Sequence, residues 1–159
     1  MKSIIKIQNI PKNSDVHKFI EKIDYYDSYS VAISKEENIR NLYSKLSFDS
    51  PKWVGFLMRV HNIIAKFSGL STVDHSCKDY DFTLGKKVGV FTLYHINESE
   101  IITGEKDSHL NFCLSLLKEE NRLILTTVVS YNNFFGKLFF FFIKPFHKLI
   151  AKGMVKSYI

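Results

Sequence analysis

Apolar and polar residues alternate along the second half of the chain, and the period changes at both of its ends. Val88 to Ile96, Glu100 to Glu105, Ser108 to Leu117 and Arg122 to Tyr131 each carry the two-residue period of a strand. In the third of these, Leu110, Phe112, Leu114 and Leu116 face one way, while His109, Asn111, Cys113 and Ser115 face the other. Asn97-Glu98-Ser99, Lys106-Asp107 and Glu119-Glu120-Asn121 are turn-like and too short for crossovers, so the strands are expected to pair as an antiparallel meander. Residues 78–83 are expected to add one more strand.

The first half reads differently. Ser14 is a candidate N-cap for a helix from Asp15 to Ile23, and residues 28–33 alternate as a strand. A charged helix is expected from Glu36 to Lys45. Another opens at Ser50-Pro51, runs its apolar face through Val54, Leu57, Met58 and Ile64, and closes at Gly69. The last segment predicts one long helix capped by Asn132-Asn133. Phe135, Phe139, Phe142, Phe146 and Leu149 fall on the face expected to meet the sheet, with Lys137, Lys144, Lys148 and Lys152 opposite. Pro145 interrupts the bonding pattern and predicts a kink.

These elements make one α+β domain of 159 residues, long enough to bury a core. With 45% hydrophobic and 24% charged residues the chain is neither disordered nor fibrous. Two Cys cannot build a disulfide scaffold, and Cys77 and Cys113 are expected to be reduced, inert thiols. Lys6 and Pro11 break up any signal-peptide core, and the longest apolar run, Leu138 to Ile143, is too short for a membrane span. A cytoplasmic protein is expected. No acidic residue follows Glu120, so the whole net charge of +6 belongs to the last quarter of the chain. The lysines there are expected to form a solvated helix face. Their attraction to an anionic surface, at most about 4 kcal/mol together, predicts no stable membrane association. Phe140 and Phe141 are expected to be covered by another segment.

The order strand, two helices, antiparallel meander, long C-terminal helix resembles the helix-grip fold of the START-related superfamily, which includes birch-pollen allergens and polyketide cyclases. In that fold a curved antiparallel sheet wraps around the C-terminal helix. Particular words of the sequence are similar to those of an uncharacterised bacterial family, DUF2867. They are Ser50-Pro51-Lys52-Trp53, Arg59-Val60-His61-Asn62, Gly104 to Leu110, Thr126-Thr127-Val128-Val129, Gly136-Lys137 and Ile143-Lys144-Pro145-Phe146-His147. This resemblance covers residues 24 to 155. It implies a fold and no established activity.

The polar residues favour no reaction. None of the six His forms a ligand pair on one helix turn, and His75-Ser76-Cys77 lacks second-half ligands, so no metal or other cofactor is expected. Asp107-Ser108-His109 contains triad residue types, but adjacent strand residues point to opposite faces. Asp107 is read as a turn residue, Asn132 as a cap and His147 as packing at the kink. Phosphate-binding loops are absent. The tail's Phe residues follow a core-facing period, which argues against nucleic-acid stacking.

What remains is an expectation about binding. With 14 Phe and 8 Tyr, the chain suits a cavity between sheet and C-terminal helix that holds a small apolar or amphipathic molecule. Its expected contacts are His61, Asn62, His109, Tyr131, Phe139 and Phe142, with Leu123, Leu125, Thr127 and Val129 on the sheet side. Two alternatives stand beside it. One is a cyclase- or hydrolase-like enzyme using His109 or His61 as acid or base. The other is an interaction domain whose core its own side chains fill. The sequence leaves the oligomeric state open.

Overall fold

The computed structural model describes residues 3–34, 36–48, 59, 62, 63, 66, 81–89 and 91–159. Seven strands form one open antiparallel sheet: β1 (Ile5–Ile7), β2 (Tyr25–Ala32), β3 (Lys87–Val88), β4 (Phe91–Ile96), β5 (Glu100–Lys106), β6 (Leu110–Glu119) and β7 (Arg122–Tyr131). Their spatial order is β1-β2-β7-β6-β5-β4-β3. The meander from β4 to β7 is the expected one, and β7 spans the expected residues. The first long strand closes against the last, with Asp27 opposite Thr127 and Tyr29 opposite Leu125.

Both faces of the sheet are covered. On one lie α1 (Ile39–Phe48) and the long helix α2 (Phe134–Lys156). Ile39, Leu42, Tyr43 and Leu46 of α1 recur at helical spacing and pack with Leu93, Ile101, Leu114, Leu116, Leu123 and Leu125. The other face is covered by the N-terminal segment, whose Val16 and Ile20 pack on Ile102, Cys113 and Val128. Ser14 caps as expected, accepting a hydrogen bond from the Val16 amide at 3.2 Å. The helix behind it is only a 3-10 turn, Asp15–Lys18, because the backbone soon joins the sheet: the Asp24 amide donates to the Val129 carbonyl at 2.9 Å.

Other boundaries also move. The charged helix starts at Ile39, where Asn38 Oδ1 accepts from the Arg40 amide at 2.8 Å. The strand expected over 88–96 is two strands joined through Gly89, whose φ of 69° suits glycine. Residues 81–83 are not a strand, and 78–80 lie outside the described residues. Of the helix expected after Pro51, only Arg59, Asn62, Ile63 and Lys66 are described, and all four are helical. Cys77 also lies outside the described residues. Cys113 is buried and free, and burial pushes its thiol up to about 11. Among the described residues, no helix is long and apolar enough to cross a membrane.

The C-terminal helix runs unbroken from Phe134 to Lys156 with Pro145 inside it. Asn133 caps it, accepting from the Gly136 amide at 3.0 Å. Its rotation corrects the expected face by one residue, about 100°. Gly136, Phe140, Ala151 and Val155 are buried, whereas Phe135 and Phe146 are exposed and Phe142 is 63% exposed. The run Phe139 to Ile143 is apolar in every direction and cannot choose a face by itself. Gly136 chooses it, since its missing side chain lets the first turn sit directly on the His109 carbonyl. Phe140 is therefore covered, but Phe141 is not. The lysines expected opposite the sheet lie partly along it, with the Lys144 ammonium 4.8 Å from the Tyr25 ring centre and that of Lys152 5.8 Å from Tyr29.

Candidate functional site

Strand alternation places Tyr25, Asp27, Tyr29 and Val31 of β2 beside Leu123, Leu125, Thr127 and Val129 of β7 on the helix-bearing face. Most of these positions are apolar or aromatic. Asp27 and Thr127, which pair directly, are the exceptions. Helix α2 crosses this part of the sheet and brings His147 to Asp27. The carboxylate is 3% exposed. Its Oδ2 accepts from the Tyr25 hydroxyl at 2.6 Å, and its Oδ1 lies 3.6 Å from His147 Nε2. That distance is too long for a hydrogen bond but within ion-pair range when the ring is protonated.

Three atoms at this seam are buried without a hydrogen-bond partner among the described residues: Asp27 Oδ1, Thr127 Oγ1 and His147 Nε2. An aromatic wall surrounds them. Ring centres lie 4.9 Å apart for Tyr25 and Phe140, 5.8 Å for Tyr131 and Phe140, and 6.1 Å for Phe140 and His147. Burial alone would raise the Asp27 carboxyl. The neighbouring His147 ring, the Tyr25 hydroxyl and the charge of Lys148 outweigh it and hold the group below the usual carboxylate range. Burial, then the bond to Asp27 and its charge, push the Tyr25 hydroxyl well above its ordinary value. At neutral pH the seam therefore holds an ionised acceptor and an intact phenol hydroxyl beside the His147 ring.

The lowered Asp27 value carries a sign. Its contribution to stability is full above the unfolded value of about 3.9 and is lost as pH falls through the lower native value. Asp27→Asn is expected to cost about 1 to 3 kcal/mol at pH 7. The gap from the parent should begin to narrow below about pH 4, as the unfolded chain takes up its proton, and close as pH falls through the lower native value. Urea denaturation at pH 7 and pH 3 measures both, and an equal gap at the two values would contradict this electrostatic account.

Of the residues expected to touch a ligand, Thr127 lies at the seam and Tyr131 belongs to its aromatic wall. His61 lies outside the described residues. Asn62 is helical and half-buried. His109 sits at the other end of the helix, where its Nδ1 is 3.0 Å from the Asn133 side-chain nitrogen. His147 follows Asn133 by a helical rise of about 20 Å. Asp107 behaves as the expected turn residue, accepting from Ser108 Oγ at 3.0 Å and, more weakly, the His109 amide at 3.4 Å. Phe139 is half-buried, and Phe142 points away from the sheet. Among the described residues, His109 and Phe142 are therefore not brought to this wall.

Asp27, Tyr25 and Phe140 were the missed residues. The signal was present: carrying the alternation of Tyr29 and Val31 backward places Asp27 and Tyr25 on the same inward face. His147, read as a packing residue, stands next to the buried Asp27 of that face.

A second polar group lies on the opposite face, where ligand atoms of Asp15, His95 and Glu100 come within 4.8 Å of one another. No spacing rule anticipates this trio, since three separate elements supply it. Each member has protein partners. Glu100 accepts from Ser14 and Ser115, Asp15 pairs with Lys18 at 2.8 Å, and His95 Nε2 is 3.0 Å from Asn97. The group is best read as the tie between the N-terminal segment and the sheet.

Comparison with known proteins finds one family, described as protein of unknown function (DUF2867), matching residues 19–154. No curated protein and no solved structure matches.

Proposed function

We propose that this chain, which belongs to the DUF2867 family, is a binding module for a small amphipathic molecule held between β2, β7 and α2. The three buried atoms of Asp27, Thr127 and His147 that find no hydrogen-bond partner among the described residues carry this reading. Buried polar groups ordinarily find partners, and leaving one unmet costs about 1 to 3 kcal/mol. A hydroxyl or amine fits them best, because it can donate to the ionised Asp27 and still exchange a bond with Thr127 or His147. The apolar part of the molecule would lie against Tyr25, Tyr131 and Phe140. An interior bounded by a helix and an antiparallel sheet is also where the resemblance to helix-grip proteins places their ligands.

The carboxylate beside an imidazole favours one alternative, an enzyme. Asp27 would orient the His147 ring as an acid or base, in place of His109 or His61. His147→Gln separates the two readings, because a binding module loses affinity whereas an enzyme keeps the complex and loses turnover.

Native mass spectrometry of freshly purified protein tests the proposal. A stoichiometric adduct, released on denaturation and reduced at least tenfold in Thr127→Val, is expected. A native mass equal to that of the polypeptide, unchanged after incubation with hydroxyl- or amine-bearing amphiphiles, would contradict it.

A further inference from the structure

We propose that the outward face of α2 adsorbs reversibly to anionic lipid surfaces. Counting 100° per residue, Phe134, Leu138, Phe141, Phe142 and Leu149 fall within an arc of about 100°. All five are exposed, Phe134 and Phe141 by 70% and 68%. An apolar stripe this continuous on the solvent side of a helix is uncommon in a protein that has no use for it. Lys137 and Lys148 border one edge of the stripe, and Lys156 continues its line toward the C-terminus. No acidic residue follows Glu120, so nothing on the helix offsets them.

This is the pattern of a helix lying in the plane of a membrane interface, with large apolar side chains in the acyl boundary and lysines at the headgroups. Charge selects the occupant. A second copy paired symmetrically through the same face would set lysine against lysine. An anionic lipid surface complements every one of these charges, and each lysine near it strengthens partitioning roughly fivefold. The helix cannot span the bilayer, because its inner face is committed to the sheet. Association is therefore peripheral and salt-sensitive.

The test is co-sedimentation with vesicles of phosphatidylcholine alone, or with an equal share of phosphatidylglycerol, at low salt and in about 1 M salt, where the Debye length is about 3 Å. Binding is expected to anionic vesicles only, and to fall at least tenfold in high salt. It should also fall at least tenfold in Leu138→Ser/Phe141→Ser, and more modestly in Lys137→Gln/Lys148→Gln. Circular dichroism and melting of both variants should match the parent, since the altered side chains are exposed. No sedimentation with anionic vesicles overturns the proposal, as does binding that the Ser variant leaves unchanged. Two further results assign the face to another occupant and also overturn it. One is a dimer by light scattering that the Ser variant dissolves. The other is marked destabilisation by that variant without vesicle binding, which would mean the chain covers the stripe itself.

Discussion

Gly136→Ala is expected to destabilise the protein by about 3 kcal/mol, near the upper end of what overpacking costs. A Cβ at this position would lie 1.9 Å from the His109 carbonyl oxygen and 2.7 Å from its carbon. Both are backbone atoms, so no side-chain rotation relieves the clash. Nor can the helix simply lift. Asn133 caps it through the Gly136 amide and donates to the Ser108 carbonyl at 3.1 Å, while the Asn132 amide donates to the His109 carbonyl at 2.9 Å. Moving the first turn breaks that joint. Because Gly136 sets the rotation of α2, the variant should also displace Phe140 and His147 from Asp27. Chemical denaturation measures the loss. Stability equal to the parent's would mean that the helix is not seated on that carbonyl.

Glu100→Ala is expected to cost about 3 to 4 kcal/mol, combining lost charged hydrogen bonds with a small cavity. Glu100 is 1% exposed. Its Oε1 accepts from the Ser14 and Ser115 hydroxyls, both at 2.5 Å, and its Oε2 from the Asp15 amide at 2.9 Å. Alanine leaves two hydroxyls and an amide without their acceptor, and frees the 3-10 turn that Val16 anchors to the sheet. Glu100→Gln keeps the shape and one acceptor oxygen and should cost less than half as much. Hydrogen exchange adds a local readout. The Asp15 amide should lose protection in Glu100→Ala before the amides of β6 and β7 do. Uniform loss across the sheet would show that Glu100 does not act chiefly as a tie for the N-terminal segment.

The strands were legible because each buries its apolar set by the two-residue period. The alternation of Leu110 to Leu116 and the limits Arg122 and Tyr131 rest on that period alone. β1 was not legible, since three residues around Lys6 become a strand only through pairing with Ser28 to Ser30. The rotation of α2 escaped for a related reason. A helix segment with Phe at four consecutive positions has no distinctive moment, and the contact that orients it lies 27 residues away in sequence, between Gly136 and His109. The site was hidden by the same error. With Phe142 turned inward, His147 reads only as a residue packing at the Pro145 kink. With Phe140 inward, His147 meets Asp27. Hydrophobic period finds apolar faces well, but a polar residue on such a face is noticed only when its neighbours are already phased.

A crystal structure of protein purified without extensive dialysis, at a resolution that orders waters, tests the binding seam most directly. The account predicts density for a non-protein molecule with a polar atom within about 3.2 Å of Asp27 Oδ1 and of Thr127 Oγ1 or His147 Nε2. Its apolar part should lie against Tyr25, Tyr131 and Phe140. A seam in which His147 closes onto Asp27 and a single water meets Thr127 would contradict it, leaving these residues as a buried ion pair that fastens the helix to the sheet.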